Sequence, residues 1–333
     1  MPALINHHLF GEQAVRDVPA GLVSSEEELI AFLIGNQGPD PLFFRWRAPL
    51  SRCAESVGVA QALHNAHPTR TLESLRDATR FLSDDDRRLG MAFALGFLAH
   101  YQLDRTTHPL VYAQEYRIID MADGLDDAEG PVHAIVEGDL DSAMLWRMRH
   151  ASVRDSSPAG CLVHTARISQ AAGALVSQAV LASAHKRMGP AWFGGCLDDM
   201  RAFYLRCEPA GRPLSVALGA VERRFRPHAQ TQAMSHPVVE TDACPWANDG
   251  HEAWTDPFTG VESTASFQDL FDEALAGWPD MARSFSAGDE VAGITGHVDF
   301  SGRDLGPSER SVEGTIELAR PWRRLRPEPS SQE

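Results

Sequence analysis

Two runs of histidines and acids constrain this 333-residue chain more than any other feature. His100, Asp104 and His108 are spaced i, i+4, i+8 in AHYQLDRTTHP, and His133, Glu137 and Asp141 repeat that spacing in HAIVEGDLD. Residues four apart share a face on a helix, so each run, if helical, aims nitrogen and oxygen ligands at one point. Imidazole plus carboxylate is what zinc prefers at catalytic sites. A lone H-x-x-x-D is more often a buried hydrogen-bonded pair. Here the first run has three members at the end of an apolar helix, where an unpaired Asp104 would be costly. Several carboxylates converging in a core require cations, and divalent metal is the expected cation.

The hydrophobic content of 43% sustains a sizeable core, and a single all-α domain over residues 1–320 is expected, with the metal ligands in 1–150 and a loose tail at 321–333. The net charge of −16 argues against a nucleic-acid scaffold and against a polybasic membrane patch. It leaves room for phosphate substrates held by divalent ions. Cys53, Cys161, Cys196, Cys207 and Cys244 form no C-x-x-C pair and are odd in number, which reads as reduced thiols. No basic n-region or apolar h-region opens the sequence, and the longest apolar stretch, Leu89 to Ala99, is too short for a bilayer. These features predict a cytoplasmic protein without a membrane anchor.

Helix signals dominate. Ser25 with Glu28 has capping-box spacing, with Gly35 as the stop; Ser83 with Asp86 repeats the device before a long apolar helix through RRLGMAFALGFLAHYQLD. Its glycines allow neighbouring helices to approach closely. Further helices are expected over Pro131–Arg149, Thr165–Arg187, Gly195–Arg206, Leu214–Ala233 and Ser266–Phe285. VAGITGHVDF is the best strand candidate, and His236 to Thr264 reads as a loop. The clusters RRFRPH and RPWRRLRP read as solvated surface or tail, and Trp254 and His251 as loop packing. A G-x-S-x-G elbow and a phosphate-binding G-x-x-x-x-G-K-[ST] loop are both missing, against serine-hydrolase and nucleotide-driven chemistry.

Other candidate ligands precede the two runs: His7 or His8 in NHHLF, Asp40 in GNQGPDP, and His64 or His67 in LHNAHP. Asp40 is equally suited to forming its Pro-flanked turn, and the histidines to a helix end. In this order NHHLFG, GNQGPDPLFF, ALHNAHP, GFLAHYQLDRTTHP and HAIVEGDLD resemble the zinc-dependent phospholipase C family, which is related to zinc nucleases acting on single strands and 3′-nucleotides. HEAWTDPFTGVESTASFQDLF, from His251, is similar to a segment of bacterial intracellular members.

The resemblance implies an all-helical fold with two or three zinc ions. Asp40, His64, His100 and Asp104 would form one site, with Asp104 bridging to a second ion. His108, His133 and Glu137 would hold another, and His7 with Asp104 the third. His7 is preferred to His8 because it matches the family's H-x-x-F-G pattern; His8 and His67 are the alternates. In secreted members a mature N-terminal tryptophan completes the third site, whereas this sequence starts at Met1. Asn6 or His8 would then substitute, or the third ion would be weak or absent.

Zinc would supply hydroxide near neutral pH, and Asp40 would ligate or orient the attacking water as general base. Asp123, Asp139 and Asp141 are the nearby options for orienting the imidazoles, and the sequence assigns none of them. Phe43, Phe44, Trp46 and Tyr101 would pack in the core or against a substrate group. The expected activity is phosphodiester hydrolysis on a small phosphodiester or phospholipid, with no stable nucleic-acid partner. The alternatives are a nuclease or nucleotidase on the same cluster, and a non-catalytic, metal-stabilised helical protein that binds lipid or phosphate.

Overall fold

Side-chain oxygens mark where several of the helices begin. The backbone N–H of Glu28 donates to Ser25 Oγ (3.2 Å) while its carboxylate accepts from the Ser25 N–H (3.0 Å), so α2 (Glu26–Gly35) opens on a complete capping box. Ser83 caps α5 (Asp84–Met121), Thr165 caps α7 (Ala166–Ala184), and Ser266 with Asp269 forms a second box on α11 (Phe267–Ala287). Proline enters the first turn of α4 (Pro68–Ala78) and α9 (Pro213–Glu222), where its missing N–H costs nothing.

The computed structural model describes residues 3–307. The remaining elements are α1 (Leu4–Ala14), α3 (Leu50–Asn65), α6 (Glu129–Arg149), α8 (Ala191–Cys207), α10 (Gln230–Ala233), α12 (Val291–Thr295), and a small antiparallel hairpin of β1 (Trp254–Thr255) and β2 (Glu262–Ser263). The fold is all-α. Its axis is the 38-residue α5, about 57 Å long, against which α1, α2, α6, α7 and α11 pack. Phe10, Phe32, Phe93, Phe97, Phe271 and Trp278 fill the core around it. Among the described residues no helix is long and apolar enough to cross a membrane.

The α2–α5 crossing is backbone on backbone. A Cβ on Gly35 would lie 2.2 Å from the Phe93 carbonyl oxygen, and one on Gly96 would lie 2.0 Å from that of Phe32. This close approach brings the end of α2 and the Asp40 turn beneath the His100 face of α5.

Several elements depart from the expectations. The α5 helix extends beyond the expected segment, running through Pro109 to Met121. Pro109 removes one hydrogen bond to the Arg105 carbonyl, and Gly302 packs against both Pro109 and that carbonyl. The expected Leu214–Ala233 helix is two, α9 and α10, broken around Pro227, which disfavours helical backbone at the residue before it. VAGITGHVDF is not a strand: Val291–Thr295 is α12, which buries Val291 and Thr295 one turn apart, and only a single bridge (Val298 to Asp304) follows. The His236–Thr264 loop contains the hairpin. The predicted tail at 321–333, with RPWRRLRP, lies outside the described residues.

Gly96→Val should cost about 3 kcal/mol by forcing α2 off α5. Chemical denaturation of the variant checks this, and a shift below about 1 kcal/mol would contradict the close-approach reading.

Candidate metal centre

Four helices and one turn bring the eight predicted ligands into one buried region. α5 supplies His100, Asp104 and His108 on one face; α6 supplies His133 and Glu137; α1 supplies His7; the 3-10 turn Asp40–Phe43 supplies Asp40; the last turn of α3 supplies His64. Ligand atoms of Asp40, His64 and His100 lie within 4.8 Å of one another, as do those of His7, His100 and Asp104, and those of His108, His133 and Glu137. All are buried except the partly buried His64.

Asp104 joins the groups. Its Oδ2 lies 3.0 Å from His100 Nε2, while its Oδ1 lies 3.1 Å from His7 Nε2 and 3.6 Å from His108 Nε2. His64 Nε2 is 3.1 Å from Asp40 Oδ1, and Glu137 Oε1 is 3.4 Å from His108 Nε2 and 3.3 Å from His133 Nε2. His8 and His67 stand outside. His8 pairs with Glu12 at 3.4 Å, and His67 Nε2 lies against His297 Nδ1 and the Gly306 carbonyl, at 3.3 Å from each.

The other ring nitrogen of four histidines explains this geometry. His64 Nδ1 donates to the Ala60 carbonyl (2.8 Å), His100 Nδ1 to that of Asn36 (3.2 Å), and His108 Nδ1 to that of Phe300 (2.7 Å). His133 Nδ1 is 2.9 Å from Glu115 Oε2. A carbonyl only accepts, so the Nδ1 proton is fixed, and a neutral ring presents a bare Nε2 lone pair. Each such lone pair faces a carboxylate oxygen, which is repulsive unless a proton or a metal ion lies between. Imidazoles oriented by Nδ1 partners are the usual support of metal-bound histidine. His100 Nε2 is buried without a hydrogen-bond partner, and the nitrogen and oxygen donors suit zinc.

Beside Asp104, His7, His108 and Glu137 encloses a space of about 10 Å³ lined also by Asn6, roughly what one water-sized occupant requires. Both polar atoms of the Asn6 side chain are buried without a partner, as is His7 Nδ1. Of the two proposed substitutes at the third site, Asn6 therefore lines this space, while His8 turns away.

Electrostatics follows from burial against mutual attraction. Burial pushes the Asp40 and Asp104 carboxyls up, but His100, with His64 on one side and His108 and His7 on the other, outweighs it and holds both below the ordinary range. Burial alone would lower His133, yet Glu137 and Glu115 raise it to about 9.

The expected orienting acids are corrected. Asp123 is exposed, Asp139 accepts from Trp246 Nε1 (2.8 Å), and Asp141 does not touch a ligand imidazole. Instead Asp141 caps α1 from across the fold, accepting the Ile5 and Asn6 N–H groups at 2.8 Å each. It is clamped in turn by His236, whose Nε2 is 3.0 Å from Asp141 and whose Nδ1 is 2.7 Å from Glu208. α1 has no cap of its own, so this network sets the depth at which His7 enters the site. Phe44 and Tyr101 are core residues; Phe43 stands 5.6 Å from the His64 ring; Trp46 bonds the Asp199 carbonyl at the surface. Trp254 and His251 pack in their loop, bonding the Ala265 and Thr264 carbonyls.

A cleft of about 820 Å³ opens beside the centre, between the C-terminal half of α5 and the hairpin, with Tyr116, Arg117, Trp254 and Phe258 in its walls. Phe258 is 5.3 Å from the Tyr112 ring, which is 5.0 Å from that of His133. Comparison with family models, curated proteins and solved structures finds no match.

Three outcomes follow. Glu115→Gln should weaken any divalent-metal binding at the His133 group roughly 10- to 100-fold, read by competition with a chelator of known affinity. Because a metal must displace the proton that His133 keeps up to about 9, zinc affinity should still climb between pH 7.5 and 8.5, where an ordinary imidazole of pKa about 6.5 has already levelled off. His236 is raised by its two carboxylates to about 10, against burial. Its contribution to stability is thus full below about pH 6.5 and lost as pH rises through 10. His236→Gln should cost about 3 kcal/mol at pH 6.5, a deficit that narrows above pH 10 in urea titrations.

Proposed function

We propose that this protein is a zinc-dependent phosphodiester hydrolase of the phospholipase C type. The observation that carries the reading is the set of histidines whose Nδ1 atoms are anchored while their Nε2 lone pairs face shared carboxylates in a buried pocket. Supporting it over a purely structural metal site, His108, His133 and Glu137 offer three ligands, leaving a fourth position for water or substrate. The adjoining cleft is large enough for a small phosphodiester.

Asp40, His64, His100 and Asp104 would hold one ion, His108, His133 and Glu137 a second, and His7 with Asp104 a third. When bound, zinc lowers the pKa of a coordinated water to about 7 and polarises a phosphoryl oxygen. The chain's own residues do the rest. Asp40, held ionised by His100 and His64, would either ligate the ion or, free of it, orient the attacking water and take its proton. Asp104 fixes the spacing of the groups on either side of it. The carbonyls of Asn36, Ala60 and Phe300 keep the imidazoles from rotating, so little reorganisation is needed when charge builds on the phosphoryl oxygens. Tyr112 and Phe258 shield the His133 side from bulk water.

The test combines metal content with turnover. Purified protein should carry more than one equivalent of zinc and hydrolyse phosphocholine diesters in preference to single-stranded DNA. Chelation should abolish that activity and zinc restore it. Asp104→Asn should lose at least one ion and on the order of 10³-fold in kcat. A metal-free, fully folded protein would refute the proposal.

A further inference from the structure

α9 is built inside out. Of its ten residues only Ser215 and Gly219 are buried, one turn apart on the same face, while Leu214, Val216, Leu218 and Val221 are 40–59% exposed. The buried face is polar and close: a Cβ on Gly219 would come within 2.5 Å of Gln232, and Glu222 accepts the Thr231 N–H at 2.8 Å. An amphipathic helix in a water-soluble fold does the reverse, turning its leucines to the core. Directly after it, Phe225 is 84% exposed. Large apolar side chains clustered in one surface segment mark a contact with something apolar.

The charge around this face says what that something is. Between Pro209 and Gln230 the sequence has four arginines (Arg212, Arg223, Arg224 and Arg226) and one acid, Glu222, in a chain of net charge −16. All four arginines are exposed, whereas Glu222 is turned inward onto Thr231. Apolar side chains flanked by arginine are the composition of a helix that lies in the interface of an anionic bilayer. A nucleic acid would use the arginines but leave Leu214, Leu218 and Phe225 in water. Repulsion from the rest of the acidic chain is screened beyond about 8 Å at physiological salt, so the local cluster governs contact.

We infer that α9 and the Phe225 turn form a docking surface for anionic lipid bilayers. The surface is peripheral: α9 is too short to span, and its buried Ser215–Gly219 face keeps it on the protein. α10 links it to α6, the helix that carries His133 and Glu137. The inference goes beyond the hydrolase reading and does not depend on it, because binding is measured without turnover.

The full chain is sedimented with vesicles of phosphatidylcholine alone and with vesicles containing phosphatidylglycerol. Wild type should bind the anionic vesicles and largely ignore the neutral ones, with binding falling as salt rises. Phe225→Ser combined with Leu218→Ser should reduce the partition coefficient at least tenfold with an unchanged melting temperature, since both side chains are exposed. Arg224→Glu combined with Arg226→Glu should remove the anionic preference, roughly fivefold for each arginine. Wild type that stays in solution with both vesicle types overturns the inference. So does a wild-type dimer that the Phe225 and Leu218 changes convert to monomer without affecting lipid binding, which would assign the face to a second copy.

Discussion

Asp104 is a carboxylate in the middle of an apolar helix, and an isolated charge there is not tolerated. Its position is possible only because His7, His100 and His108 converge on its two oxygens from two helices. The surrounding architecture serves that convergence. α2 lies backbone-to-backbone on α5, which puts the Asn36 carbonyl against His100. α6 lies beside α5 so that Glu137 reaches both His108 and His133. The interior is therefore organised around opposite charge as much as around apolar burial.

The parts legible in the sequence are those written as side-chain pattern. The i, i+4, i+8 spacing located the ligand faces of α5 and α6, and the Ser–Glu and Ser–Asp spacings located the starts of α2, α5 and α11. Of the histidines left open by the residues alone, His7 and His64 face the cluster, whereas His8 and His67 face Glu12 and His297. What was illegible is supplied by backbone. The anchors of His64, His100 and His108 are carbonyl oxygens of Ala60, Asn36 and Phe300, and every residue has one. Glu115, the acid beside His133 Nδ1, lies seven residues after His108 on the same helix, a spacing that does not by itself mark it out. Asp141 proved to serve α1 instead, since its two oxygens meet the N–H groups that α1 could not cap locally.

Errors in the elements have similar roots. Pro109 costs α5 one internal hydrogen bond, yet the helix continues for three turns beyond it, with Gly302 packed against the proline. The alternation in VAGITGHVDF suggested a strand, but burial of Val291 and Thr295 one turn apart is a helical solution. Inverted patterning in α9 was read as an ordinary helix because periodicity reports which residues share a face, not whether that face looks inward.

The distribution of anchors along the chain has a consequence for biosynthesis. Every predicted ligand is translated by residue 137, but the oxygen that steers His108 comes from residue 300, and the imidazole that clamps the cap of α1 from residue 236. A nascent chain of half length thus displays all its ligands with neither constraint in place. The orientation of these side chains therefore belongs to the finished fold and not to the segment that carries them.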